Sequence, residues 1–281
     1  MSDFCGIEAG SVGTNEGTFA PRNFLNVSSW TDGTDSGVND NTTYDFYGYY
    51  PETGTSESTY SESDGGVLLN VASAQTGEFG RHQICSSGKV TMNKGDITKN
   101  KMVRFTFAPL TSLIRLRLSI SSDSHASFED AYIKQVTLDA KTSQSNLTGS
   151  CFLAFKEGAN GTLTSKESAG SRTQINVTFA SPVHITRQKE QNGYIDFVLL
   201  ATGANTGDMH FEVRTLDGQK FTFEVPAPAD GFAAGTRYYL DRLVTMDLKP
   251  ESDDATYVDG GNAWENNIDH DGFYTDAGEA W

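Results

Sequence analysis

The feature that most constrains this chain is a two-residue alternation of apolar and polar side chains, repeated in short runs bounded by Gly, Asn, Asp or Ser. Successive side chains on an extended strand point to opposite faces, so such a run buries one face and wets the other, whereas an amphipathic helix needs a spacing near 3.6. Residues 113–121 are the clearest case. Leu116, Leu118 and Ile120 share one face and Arg115, Arg117 and Ser119 the other, which predicts a core face and a wet face. The same pattern predicts strands at 24–30, 43–50, 67–71, 79–85, 89–92 and 102–108. After the polar stretch 121–130 a second series follows at 132–138, 151–155, 174–179, 194–200, 209–216, 219–225 and 237–247. Helical periodicity is scarce.

Seven candidate strands on each side of a boundary near Ala126 predict an all-β chain built from two tandem antiparallel β-sandwich domains, 1–125 and 126–250, with an extension at 251–281. Leu216-Asp217-Gly218-Gln219 is the clearest hairpin turn, because Asp-Gly accepts the positive φ values of a two-residue type I′ turn. Phe211 and Val213 before it, and Phe221, Phe223 and Val225 after it, continue the alternation.

A chain of 281 residues can bury a core without covalent staples. Its 21 Lys and Arg against 37 Asp and Glu give a net charge of -16, which repels phosphate backbones and anionic bilayers, so nucleic acid is not expected as a partner. Cys5, Cys85 and Cys151 are odd in number and lack metal-ligand spacing. At least one is expected to be a free thiol; a single disulfide is compatible with the count. No apolar run approaches the roughly 18 residues of a membrane span. Met1 leads directly into the polar segment 2–17, which predicts a soluble chain from which any export signal has been removed.

No enzyme signature emerges. His82, His125, His184, His210 and His270 are scattered, and no nucleophile elbow, zinc-binding His-Glu-x-x-His or phosphate loop occurs, so neither catalytic residues nor a cofactor are expected. Asn267-Ile268-Asp269-His270-Asp271-Gly272 matches the first half of a calcium loop, but the twelfth position is Gly278 and Glu279 falls one residue late. An acidic turn is the preferred reading, with a weak calcium site left open. Trp30, residues 46–50, Trp264 and Trp281 could form a sugar-stacking platform; the preferred reading is core filling, with Phe46, Gly48 and Tyr50 on one strand face. Asn26, Asn41, Asn146, Asn160 and Asn176 open Asn-x-Ser/Thr triplets and are read as surface turns. Residues 251–281 combine nine carboxylates with Tyr257, Trp264, Phe273, Tyr274 and Trp281, and contain no Lys or Arg. A purely solvating tail would be poor in aromatics, so this segment is expected to dock.

Read in order, several motifs resemble those of the fimbrillin-like proteins, the type V pilins and associated lipoprotein adhesins of Bacteroidales. They are Phe46-Tyr47-Gly48-Tyr49-Tyr50-Pro51, Val103-Arg104-Phe105-Thr106-Phe107 with the Leu-rich strand after it, residues 133–138 leading into Leu147-Thr148-Gly149, and residues 221–225 followed by Gly235-Thr236-Arg237-Tyr238. The likeness covers most of residues 40–247. Pro109 departs from it where the family often has a His, and the aromatic strand is preceded by less sequence than is usual. The resemblance implies transthyretin-like sandwiches, export as a lipoprotein to a fimbrium attached at the outer membrane, and polymerisation in which one subunit's extension fills a groove in the next. The implied partners are other pilin subunits, as a homo- or hetero-polymer, with a host or bacterial surface receptor or glycan left open. Membrane contact would come only through a lipid anchor outside this chain. Arg22 is then a candidate cleavage point, and residues 251–281 a donor or docking element, unless they pack on their own domain. The alternative is a carbohydrate-binding cell-surface module using Trp30 and Trp264, with calcium at Asp269 and Asp271.

Overall fold

The structure, a computed structural model, describes residues 7–9, 19–21, 43–50, 60–61, 65–77, 79–93, 105–141, 144–156, 159–246 and Phe273. These residues form strands β1 (Ile7–Ala9), β2 (Phe19–Pro21), β3 (Thr43–Phe46), β4 (Tyr49–Tyr50), β5 (Tyr60–Ser61), β6 (Gly66–Val71), β7 (Ala74–Gln75), β8 (Cys85–Ser87), β9 (Val90–Asn93) and β10 (Phe107–Pro109). There follow β11 (Ser112–Ile120), β12 (Asp130–Asp139), β13 (Gly149–Lys156), β14 (Ala159–Ser165), β15 (Gln174–Thr186), β16 (Ile195–Leu199), β17 (Asp208–Thr215), β18 (Lys220–Pro226) and β19 (Arg237–Val244). The helical content of the described residues is two short 3-10 turns, Phe79–Arg81 and Lys189–Gln191. The all-β class matches the sequence pattern.

The larger core lies between a five-stranded sheet, order β18-β17-β12-β15-β7, and a three-stranded sheet, order β16-β11-β19. Alternate residues of each strand supply it: Leu116, Leu118 and Ile120 from β11, Met209, Phe211 and Val213 from β17, Ile195, Phe197 and Leu199 from β16. Phe211 is stacked on Phe223 at 4.7 Å and meets Phe197 edge-on at 5.8 Å, so three strands share one aromatic contact. In β12 the buried set changes parity, from Ala131 and Ile133 to Val136 and Leu138. A bulge between Ile133 and Gln135 absorbs the extra residue and keeps both halves facing the core. A smaller cluster joins Val67, Leu69 and Val71 of β6 to Cys151 and Leu153 of β13, with Ile84, Leu110 and Leu200. It sits on the sheet of order β14-β13-β6-β5.

Pairing does not follow the chain order that the sequence boundary near Ala126 suggests. β11 pairs with β16 and β19, β6 with β13, and β7 with β15, each across residue 126. Nor is every pair antiparallel: β11 with β19 and β15 with β7 run parallel. Alternation reports which face of a strand is apolar, and is silent on its neighbour.

Local differences have local causes. The strand expected at 79–85 begins instead with the 3-10 turn Phe79–Arg81, where His82 N and Gln83 N both donate to Phe79 O, and extended pairing starts at Cys85. The strand expected at 43–50 breaks after Phe46. Gly48 O accepts from Ser87 N (2.9 Å), Gly48 N donates to Ser87 Oγ (2.9 Å), and a Cβ on Gly48 would stand 2.9 Å from the Phe107 ring. β10 begins at Phe107, later than the expected 102–108, and 24–30 lies outside the described residues. The 216–219 hairpin is one residue longer than a type I′ turn: Gly218 N donates to Thr215 O (3.3 Å), Thr215 N to Gln219 O (3.0 Å), and Gly218 has φ +89°. That is a three-residue loop with glycine in the left-handed position.

The Gly-Thr-x-Tyr element that closes the fold is held by hydrogen bonds to the backbone upstream. Tyr238 Oη accepts from Ala233 N (2.9 Å) and its ring meets Phe232 edge-on at 4.9 Å, a back-bonded tyrosine corner. Gly235 N donates to Thr111 O (3.0 Å), and Thr236 O accepts from Leu113 N (3.1 Å). Gly231 has φ +78°, and a Cβ there would lie 2.4 Å from Gly203 O, whereas Gly65, at φ +66°, has nothing within 4 Å. Gly65→Ala should therefore cost about 1 kcal/mol and Gly231→Ala about 3 kcal/mol or more, the second adding overlap to backbone strain, as read by urea unfolding.

Candidate functional site

The outer face of the three-stranded sheet departs furthest from expectation. Arg115, Arg117 and Ser119 should point to water, yet Ser119 is 2% exposed and both guanidinium groups are largely covered. Cross-strand register explains the cover. Arg115 of β11 lies opposite Asp196 of β16 and Tyr239 of β19, and Arg117 lies opposite Asp241 of β19. Arg115 Nε donates to Asp196 Oδ1 (2.9 Å); Arg117 Nε and Nη2 donate to Asp241 Oδ1 (2.9 Å) and Oδ2 (3.2 Å). The Tyr194 ring, just before β16, lies 4.6 Å from the Arg115 guanidinium and 4.9 Å from that of Arg117, and packs edge-on against Tyr239 at 5.6 Å. Lys189, in the second 3-10 turn, reaches Asp241 Oδ2 at 2.6 Å.

Both carboxylates are 5% exposed, so each must be compensated to stay charged. They are compensated unequally. Burial pushes the Asp196 carboxyl above its ordinary range, against the opposing pull of Arg115. Burial also opposes the charge on Asp241, but hydrogen bonds from Arg117 and Lys189 outweigh it and hold that carboxyl below its ordinary value. The network is ion pairs and aromatic faces with no nucleophile paired to a base, and what it can do is fix strand register. Sequence reading found the arginines and missed Asp196, Asp241 and Tyr194; the available signal was a lone carboxylate inside each of two strands, the otherwise apolar β16 and the aromatic- and Leu-rich β19.

The other residues singled out in the sequence do not converge. His82 Nε2 bonds Thr76 N (3.1 Å), His125 Nδ1 meets Ser127 Oγ (2.8 Å), His184 pairs with Asp130 (3.1 Å) and His210 with Glu224 (2.8 Å). Among the described residues no three His, Cys, Asp or Glu gather closely enough to hold a metal ion. Cys85 and Cys151 are free thiols, pushed by burial up to about 11 and about 12. Asn146 is no surface turn: it is 7% exposed, donates to Ser165 Oγ and Ser168 O (both 3.1 Å) and accepts from Arg172 N (3.0 Å). Asn176 lies half-buried within β15, its Oδ1 accepting from Thr137 Oγ1 (2.7 Å).

Within 46–50, Tyr47 and Tyr49 lie 4.8 and 6.2 Å from the Phe155 ring, while Tyr50 is exposed; the strand expected to put Phe46, Gly48 and Tyr50 on one face breaks after Phe46. A recess of about 300 Å³ is lined by Asn146, Ser165, Glu167, Leu200 and Thr202, with no aromatic ring on which a sugar could stack. Cys5, Arg22, Asn26, Trp30, Asn41, Trp264, the 267–272 turn with Asp269, His270 and Asp271, and Trp281 all lie outside the described residues. Of segment 251–281, Phe273 is described: it is half-buried and meets Phe232 edge-on at 5.1 Å.

A family model described as fimbrillin-like matches residues 14–255. Among solved structures, the chain is similar to a candidate cell adhesion protein from Bacteroides uniformis, 18% identical over 73% of this chain and 69% of that one, with a TM-score of 0.47. It is also similar to a fimbrial protein from Bacteroides vulgatus (12% identity, 72% of each chain, TM-score 0.36) and a candidate cell adhesion protein from Bacteroides fragilis (9% identity, 88% and 74%, TM-score 0.48). No curated protein matches.

The Asp241 network carries a pH signature. Because its folded pKa is depressed, Asp241 stabilises the fold above its unfolded value near about 3.9 and loses that contribution as pH falls through the lower folded value. Asp241→Asn should cost about 2–4 kcal/mol at pH 7, by leaving Arg117 without its charged partner, and should flatten the acid side of the stability profile. Urea unfolding of both proteins at pH 7 and pH 3 reads both effects.

Proposed function

The chain belongs to the fimbrillin-like family, and from that premise we propose that it is a structural and adhesive fimbrial subunit, exported to the cell surface and assembled with other pilin subunits by strand addition. The match over residues 14–255 carries this reading. The architecture supports it, because both sheets of the larger core are open series of strands that do not close into barrels. An open sheet has edges, and an added strand satisfies edge backbone groups while its alternate side chains enter the apolar layer. The charged network supports a non-enzymatic role, since its groups are consumed in holding strands together.

The role of 251–281 as a docking element is part of the proposal, and Phe273 against Phe232 is the supporting contact. Among the described residues no helix is long and apolar enough to cross a membrane, and attachment at the outer membrane is assigned to a lipid anchor. Arg22 is proposed as the maturation cleavage point.

Size-exclusion chromatography with light scattering, before and after limited trypsin treatment, tests the assembly step on the full chain and on one ending at Pro250. Trimming near Arg22 should give concentration-dependent oligomers or filaments, and removal of 251–281 should abolish them. Monomers in every form would reject strand-addition assembly.

A further inference from the structure

β16 is an apolar edge strand, Ile-Asp-Phe-Val-Leu, buried at all five positions. Its single charge, Asp196, is committed to Arg115 and does not repel an incoming strand. Exposed strands of this composition are hazards that proteins blunt with charges, prolines or cover. Here part of the cover is one side chain, that of Gln75. Val198 N donates to Gln75 Oε1 (3.0 Å), and Gln75 Nε2 donates to Val198 O (2.7 Å) and Ala72 O (2.9 Å). A primary amide presents a donor and an acceptor much as a peptide unit does, so Gln75, 3% exposed, imitates one residue of a neighbouring strand. One rung further on, Leu200 N donates to Leu147 O (2.8 Å).

The backbone of the same segment closes the other layer. Ala74 and Gln75 pair in parallel with Asn176 and Val177 of β15, and Asn176 N donates to Ser73 O (2.7 Å). One dipeptide thus meets both sheets on the same side of the sandwich, the five-stranded sheet with its main chain and the three-stranded sheet with its side chain.

We propose that Gln75 is an edge-blocking residue: by occupying the backbone groups of Val198 it prevents the β16 flank from pairing with a strand of a second copy of the chain. The claim concerns a flank that association avoids, and it stands whether or not the protein polymerises elsewhere. Gln75→Met keeps the side-chain length and removes the amide. Gln75→Asn is the milder variant, its amide one methylene too short to reach both groups of Val198. Val136→Ala, a cavity in β12, is the control for destabilisation alone.

Amide exchange at Val198 and light scattering across a concentration series are measured on all four proteins. Expected for both Gln75 variants are exchange at Val198 faster by about tenfold, smaller for Asn, and concentration-dependent association that Val136→Ala does not show. Unchanged exchange at Val198, faster exchange without association, or equal association in Val136→Ala would each overturn the proposal.

Discussion

The larger core depends on β11 being buried on both faces. One face meets the five-stranded sheet through Leu116, Leu118 and Ile120; the other carries two arginines that are tolerated because each meets a carboxylate and the Tyr194 ring. The arrangement pins register. A one-residue slip of β11 against β19 would turn the arginines toward the apolar layer and take Arg117 from Asp241, leaving that carboxylate with Lys189 alone. The Arg117–Asp241 pair joins segments 124 residues apart, so the correct register forms only when distant parts of the chain meet. Such pairings are slow to form, and a network that penalises the wrong register has a clear physical use.

What was legible in the sequence was the strand as a local object. β6, β13, β17 and β18 fall where the alternation puts them because each buries mainly one parity of side chain, and β11, β16 and β19 fall at their expected positions although both of their faces are largely covered. β14 was missed: Ala-Asn-Gly-Thr-Leu-Thr-Ser offers a single large apolar residue, and it is a strand because β13 supplies it with a partner. The end of β15 was missed because its second half, through Thr186, has weaker alternation than its first. The wet face assigned to β11 failed because alternation separates apolar from polar positions, not water from a compensating charge on a neighbouring strand.

Site-level reading shows the same division. The Gly-Thr-x-Tyr element was visible as a motif, and its physical content is a glycine in the left-handed region and a tyrosine hydroxyl bonded to the backbone five residues upstream. Asn146 sat in a triplet read as a surface turn, yet its buried amide bonds Ser165 Oγ, Ser168 O and Arg172 N and so ties its own segment to residues 165–172. Neither Asp196 nor Asp241 could be matched to an arginine without the strand order that brings them together.

A fimbrillin-like chain with register-fixing charges and open sheets fits the proposed role of a cell-surface fimbrial subunit. The most direct test is immunogold electron microscopy of the cells that produce it, using antibody raised against the folded protein. The account predicts label along filaments projecting from the cell surface. Label confined to the cell interior, with bare surfaces, would contradict it.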